Sequence, residues 1–337
     1  MFLKLVTDHT EIAFTRWRMI AFAFSMMLLI GSIGIFAARG LNLGVDFRGG
    51  VTIEATDDEP LDMAAIRAAV GNLDLGDVKV QGVTGAGGVL TSVIVTVEQQ
   101  SVADVSQEVQ DEINRNNPNA DLNETIQAQA AVKIKGALIE LLGDGHDFLR
   151  EDIVGPTVSG ELIRAGVIAV VLAIGMMLLY IWFRFEWQFS VGAILALAHD
   201  VTLTLGVFAL TQIEFNLPII AALLTIVGYS MNDTVVVYDR VRENLRKYKK
   251  RPLEGILDLS INDTLSRTVM TSVTTLLALL ALYFLGGEVL RGFTFAMIFG
   301  VVVGTYSSIF VASPLLLLMG VKREWGKSDV TAPATGG

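Results

Sequence analysis

Long apolar runs separated by short polar breaks dominate this chain. Six of them, residues 19–38, 163–183, 189–210, 217–238, 268–285 and 293–319, are long enough to cross roughly 30 Å of hydrocarbon as helices. The segment between the first two follows another rhythm. Residues 51–56, 77–83 and 89–97 alternate apolar and polar positions like strands, and residues 61–73 carry Leu61, Ala65, Ala68 and Ala69 at helical spacing. Gly85, Gly87 and Gly88 mark a turn. A second helical region over 103–142, broken near 116–119, precedes a closing strand at 149–154. The order βαββαβ predicts a ferredoxin-like sandwich; a loosely structured acidic loop is the competing reading, disfavoured by the strand periodicity. The expected fold is therefore an α-helical polytopic membrane protein with six transmembrane helices and one external α+β domain between helices 1 and 2.

Composition agrees: 52% of residues are hydrophobic, 18% are charged, and the mean hydropathy is +0.56, too apolar for a soluble domain of this size. The first run is about as long as a span needs and lacks a clean small-x-small site before Arg39, so it reads as a retained helix, not a signal peptide. Without cysteine a disulfide framework is excluded. Lysine and arginine set the orientation. Lys4, Arg16 and Arg18 precede span one, Arg184 lies between spans two and three, a basic run from Arg240 to Arg251 follows span four, and Lys322, Arg323 and Lys327 follow span six. Both termini are thus expected in the cytoplasm, with residues 1–18 and 320–337 as cytoplasmic ends, 39–162 outside and 163–319 holding spans two to six. The tail beyond Gly326 reads as disordered. Residues 40–160 hold 7 Lys and Arg against 20 Asp and Glu, so the acidity of the chain resides in the external segment.

Ionisable groups at membrane depth are costly and mark ion or proton pathways. Asp233 lies inside span four, and Thr225, Tyr229, Asn232 and Asp239 share one face of that helix with Asp233 at its border. Thr264, Arg267, Thr271 and Thr274 form a similar arc on span five. A carboxylate that can be protonated beside an arginine that cannot be deprotonated makes a switch; the competing reading is a snorkelling arginine and an acid near the headgroups. His199 and Asp200 fall at the midpoint of span three. There Asp200 must be neutral, paired or hydrated, either relaying protons between the outer face and Asp233 or bonding to neighbouring Thr, Ser or Asn side chains. Small residues recur every fourth position in span six (Ala296, Gly300, Gly304, Ser308, Ala312) and in span two (Ala165, Ala169, Ala173), suiting close helix contact. His9, His146 and His199 are too dispersed for a metal site. Walker A, GxSxG, HExxH and dinucleotide motifs are missing from the sequence, so neither catalysis nor a cofactor is expected. The basic run abuts a span, where anionic headgroups explain it better than nucleic acid.

Several motifs resemble the SecF family of bacterial protein export: Gly44-Val-Asp-Phe-Arg-Gly-Gly50, Val154-Gly-Pro-Thr-Val-Ser-Gly-Glu-Leu162, Ala198-His-Asp-Val201, Val227-Gly-Tyr-Ser-Met-Asn-Asp-Thr-Val235 and Ser266-Arg-Thr-Val-Met-Thr-Ser272. Leu290-Arg-Gly-Phe293 and Gly304-Thr-Tyr-Ser-Ser308 do so as well, and the resemblance runs from about residue 16 to 320. It implies a bacterial inner-membrane protein whose α+β domain is periplasmic. It further implies a SecD partner, association with the SecY, SecE and SecG channel and with YajC, and use of the proton-motive force to draw unfolded polypeptide outward. By the resemblance Asp233 and Arg267 are functional, and Asn232, Asp200 and His199 join them as candidates for the proton pathway. The glycine-rich joints to the external domain would comprise Gly44, Asp46, Gly49, Gly50, Gly155, Pro156 and Gly160. A non-energised scaffold of the translocon and a proton-coupled exporter of the resistance-nodulation-division superfamily are the alternative functions.

Overall fold

A computed structural model describes residues 10–321 except 58, 85–89, 101, 103–104, 106, 117–120 and 144–145. The expected glycine turn at 85–88, most of the expected break at 116–119, Lys4, His9 and the chain beyond 321 lie outside the described residues. The helices are α1 (Arg18–Arg39), α2 (Val45–Arg48), α3 (Met63–Gly71), α4 (Gln107–Asn116), α5 (Leu122–Leu142), α6 (Pro156–Arg184), α7 (Trp187–Thr211), α8 (Leu217–Lys247), α9 (Leu253–Leu285), α10 (Glu288–Ser307) and α11 (Ser313–Met319). The strands are β1 (Gly50–Asp57), β2 (Val78–Thr84), β3 (Leu90–Glu98) and β4 (His146–Val154). The chain divides into two units, one holding Asn42–Ala169 and Glu214–Leu217, the other Met1–Leu41, Val170–Ile213 and Pro218–Gly337.

In the first unit the strands form one sheet in the order β2-β3-β1-β4, every neighbouring pair antiparallel. Alternation places Val51, Ile53 and Ala55 of β1 and Val93, Val95 and Val97 of β3 in a common core, completed by Ile66 and Val70 of α3 and Ala130, Ile134 and Leu138 of α5. Asp62 accepts from the amides of Ala64 and Ala65 to start α3, and Asp121 accepts from Asn123 to start α5. Such caps are worth about 1 kcal/mol each. The second crossover contains two separate helices, α4 and α5. Gly50 opens β1 at φ +128°, and a Cβ there would stand 2.3 Å from the Val97 carbonyl oxygen, so strand pairing itself demands glycine.

Among the described residues of the other unit and its connecting helix, six helices are long and apolar enough to span a membrane. Each of the predicted spans is present, but α6, α8 and α9 run well past their apolar runs. The early turns of α9 continue because Ile256, Leu257, Ser260, Ile261 and Thr264 bury one helical face. Asp258 on the same segment accepts from the Thr15 amide (2.8 Å) and hydroxyl (2.9 Å). Arg267 consequently sits mid-helix. The small-residue stripe of α10 packs against α8, so tightly that a Cβ on Gly300 would meet Ile226 at 2.4 Å.

The last span is interrupted by a π-helical segment, Ser308–Ala312. Pro314, just beyond it, cannot donate to the helical ladder, and its ring disfavours regular continuation. The Tyr238 hydroxyl donates to the Ala312 carbonyl (2.9 Å), and the Ser313 hydroxyl donates to the Ser308 carbonyl (2.8 Å).

Candidate functional site

The end of α10 and the π segment that follows it meet α7, α8 and α9 at two carboxylates, one buried and one half-buried. Asp200, fully buried on α7, accepts through Oδ2 from the hydroxyls of Ser230 on α8 and Ser307 on α10, the latter at 2.7 Å. Its Oδ1 lies 2.9 Å from Nδ1 of His199. The His199 ring is buried and packs at 6.3 Å from the Tyr306 ring, and its Nε2 has no hydrogen-bond partner among the described residues. A carboxylate with three polar contacts satisfies the need, expected from the sequence, for Asp200 to be paired.

Asp233 is half-buried on α8. Its Oδ1 accepts from the Thr268 hydroxyl of α9 and its Oδ2 from the Ser308 hydroxyl of the π segment. Ser307 and Ser308 are consecutive, yet each serves a different aspartate. Successive residues of a regular helix point about 100° apart, and the wider π turn starts between these two, a local geometry often found at functional positions. Within α8 the Thr234 hydroxyl donates to the Ser230 carbonyl (3.2 Å).

Arg267 does not complete this cluster by direct contact. Among the described residues it forms neither an ion pair nor a side-chain hydrogen bond with Asp233, whose partners are Thr268 and Ser308. The reason is angular: the neighbouring Thr268 faces Asp233, and the next side chain along α9 points about 100° away. Arg267 is exposed, as are Asn232 and Thr225 on α8 and Thr271 and Thr274 on α9. Together they make a polar strip on the outside of the bundle. Asp239, expected on the same face as Asn232, instead receives both of its hydrogen bonds from Arg184, at 3.0 and 3.1 Å.

The first joint residues are brought together by the loop before α8. The Gly44 amide donates to the Phe215 carbonyl (2.8 Å), and the Phe215 amide donates back to Asn42 (2.7 Å). Asp46 Oδ2 accepts from the Leu217 amide at the start of α8 (2.8 Å), a carboxylate at a helix N-terminus. Glu214 lies against Gly44, where a Cβ would stand 2.5 Å from Glu214 Oε1. Burial pushes the Glu214 carboxyl above the usual glutamate range, opposed by Arg150 and Lys79 and assisted by Asp46 and Asp152. Pro156 opens α6, where its missing N–H costs nothing. Gly155 approaches the Glu124 side chain, whereas Gly160 faces open space.

Sequence reasoning missed Glu214 and the four hydroxyl donors Ser230, Thr268, Ser307 and Ser308. The available signal was a hydroxyl recurring beside each buried acid within the quoted motifs. Among the described residues no cluster of metal-ligating side chains occurs.

Two families match the chain: Protein export membrane protein SecD/SecF, C-terminal, over residues 135–322, and the SecD/SecF GG Motif over residues 34–56. Protein translocase subunit SecF of Cereibacter sphaeroides is 46% identical over 98% of this chain and 96% of its own length. The SecF of Vibrio alginolyticus is 42% identical over 96% of this chain and 94% of its own. Protein translocase subunit SecDF of Brucella abortus is 40% identical over 97% of this chain, which spans 40% of that longer protein. The crystal structure of SecDF, a translocon-associated membrane protein from Thermus, superposes with a TM-score of 0.74 at 35% identity, covering 93% of this chain and 39% of that one.

Proposed function

Because the chain belongs to the SecF family of protein translocase subunits, we propose that it couples inward proton movement to the outward pull on a translocating polypeptide. It is a multi-pass membrane subunit of the Sec export system. The observation that carries the proton reading is the pair of aspartates, Asp200 buried and Asp233 half-buried, served by consecutive hydroxyls where α10 passes into the π segment. A charged carboxylate only accepts hydrogen bonds, whereas a neutral one also donates. Protonating Asp233 therefore reverses a hydroxyl at Thr268 or Ser308 and weakens the hold of α8 on the π segment. Asp200 and His199 provide the inner station of the relay. Each proton contributes about 2.3 kcal/mol per 100 mV of membrane potential.

The distribution of lysine and arginine supports an inner-membrane orientation with both termini in the cytoplasm and residues 39–162 in the periplasm. Motion of α8 passes to that domain through the joints at Gly44, Asp46, Gly49, Gly50 and at Gly155, Pro156, Gly160. The exposed polar strip around Asn232 and Arg267 is unsuited to lipid, and we assign it to SecD, which fused relatives carry in the same chain. The SecY, SecE and SecG channel and YajC complete the assembly in this reading. Secretion measured in cells with and without this subunit, each with and without an uncoupler, tests the proposal. The uncoupler should erase the advantage given by the subunit; an advantage that survives it would indicate a passive scaffold.

A further inference from the structure

A second built site lies at the opposite end of α8 from the Asp46 cap. Arg184, Asp239, Arg242, Glu243, Arg246 and Lys247 line an open cavity of about 530 Å³. Its lining carries four cations and two carboxylates. Asp239 is engaged by Arg184 through both oxygens and lies 3.7 Å from Arg242, and Glu243 is paired with Arg240 at 2.8 Å. Both acids are thus committed while positive charge remains in excess. Glu186, in the same turn, does not line the cavity. The two guanidiniums are held in place. Arg184 and Arg242 lie 5.1 and 5.2 Å from the centre of the Phe185 ring, and an Arg242 Nη donates to the Arg184 carbonyl.

Beside this cavity the turn between α6 and α7 exposes three large aromatics, Trp182 (63%), Phe183 (80%) and Trp187 (57%). Exposed tryptophan at a helix end marks the level where acyl chains meet headgroups. Basic recesses at that level, between spans on the cytoplasmic side, recognise anionic headgroups, and arginine suits phosphate through its forked donors. The geometry points to a phosphate-binding site at the α6–α7 turn and the end of α8, formed by Arg184, Arg242, Arg246 and Lys247, whose occupant is a phospholipid headgroup.

The test uses the purified subunit with its SecD partner in nanodiscs of phosphatidylcholine, either doped with phosphatidylglycerol or bathed in inorganic phosphate. Native mass spectrometry reads retained phosphatidylglycerol, and thermal unfolding reads stabilisation by phosphate. Replacing Arg184→Gln with Arg242→Gln should weaken phosphatidylglycerol retention roughly tenfold or more. Lys249→Gln with Lys250→Gln, the same change of charge outside the cavity, should leave it intact. Lys247→Gln, at the exposed rim, gives a milder loss and serves if the double arginine variant does not fold. Stabilisation by inorganic phosphate that is lost in the arginine variant supports the same site and assigns it to a soluble phosphate. Equal loss of phosphatidylglycerol in the arginine and lysine variants, or no retention by the unaltered protein, overturns the proposal.

Discussion

At the scale of single residues, hydroxyls rather than cations hold the two membrane-depth carboxylates. Both acids and His199 were legible in the sequence, because an ionisable side chain inside an apolar run stands out on grounds of cost alone. Their partners were not, since serine and threonine are also the small residues that let membrane helices pack, and Ser308 fits that stripe equally well. The direct Asp233–Arg267 pairing failed by one position: facing α8 is the role of Thr268. These contacts set different expectations for different replacements. Asp200→Ala leaves Ser230, Ser307 and His199 without their common partner and should destabilise the bundle by about 1–3 kcal/mol for each polar group left unsatisfied, measurable by unfolding in detergent. Asp200→Asn retains an acceptor and should cost clearly less. Ser307→Ala removes one hydroxyl from a buried acid, with an expected cost of about 1–3 kcal/mol.

Among elements, apolar length predicted the existence of all six spans, and the four strands fall within a few residues of their expected bounds, while α6, α8 and α9 begin or end about 7 to 15 residues beyond theirs. The extensions of α6, α8 and α9 escaped notice because amphipathic turns outside the hydrocarbon carry no long apolar run; Ile256, Leu257 and Ile261 show their periodicity only once α9 is known to continue. The π turn is illegible without the positions of its partners. Two predictions concern the loop before α8. Asp46→Ala removes the acceptor at the α8 N-terminus and should cost about 1 kcal/mol, read as faster amide exchange at Leu217. Glu214 favours its neutral form in the fold, so the folded protein binds more protons than the unfolded chain between the ordinary and the raised value. Stability contributed there is present at low pH and lost as pH rises through the folded value. Unfolding followed from neutrality toward the ordinary glutamate range should therefore show the first unit gaining stability, and Glu214→Gln should flatten that dependence.

For the whole molecule, a bundle with Asn232, Thr225, Arg267, Thr271 and Thr274 exposed on one outer strip is not finished by lipid alone. Long lysine or glutamine replacements at Thr271 should reduce co-purification with SecD, while changes on the lipid-facing side of α6, such as Val171→Leu, should not. The central claim remains that protonation of Asp233 drives export. Its most direct measurement is proton-gradient-dependent translocation into inverted membrane vesicles containing Asp233→Asn, with SecD association verified in the same membranes. The account predicts that gradient-dependent stimulation disappears while the remaining, gradient-independent translocation persists. Full stimulation in the correctly assembled variant would contradict it.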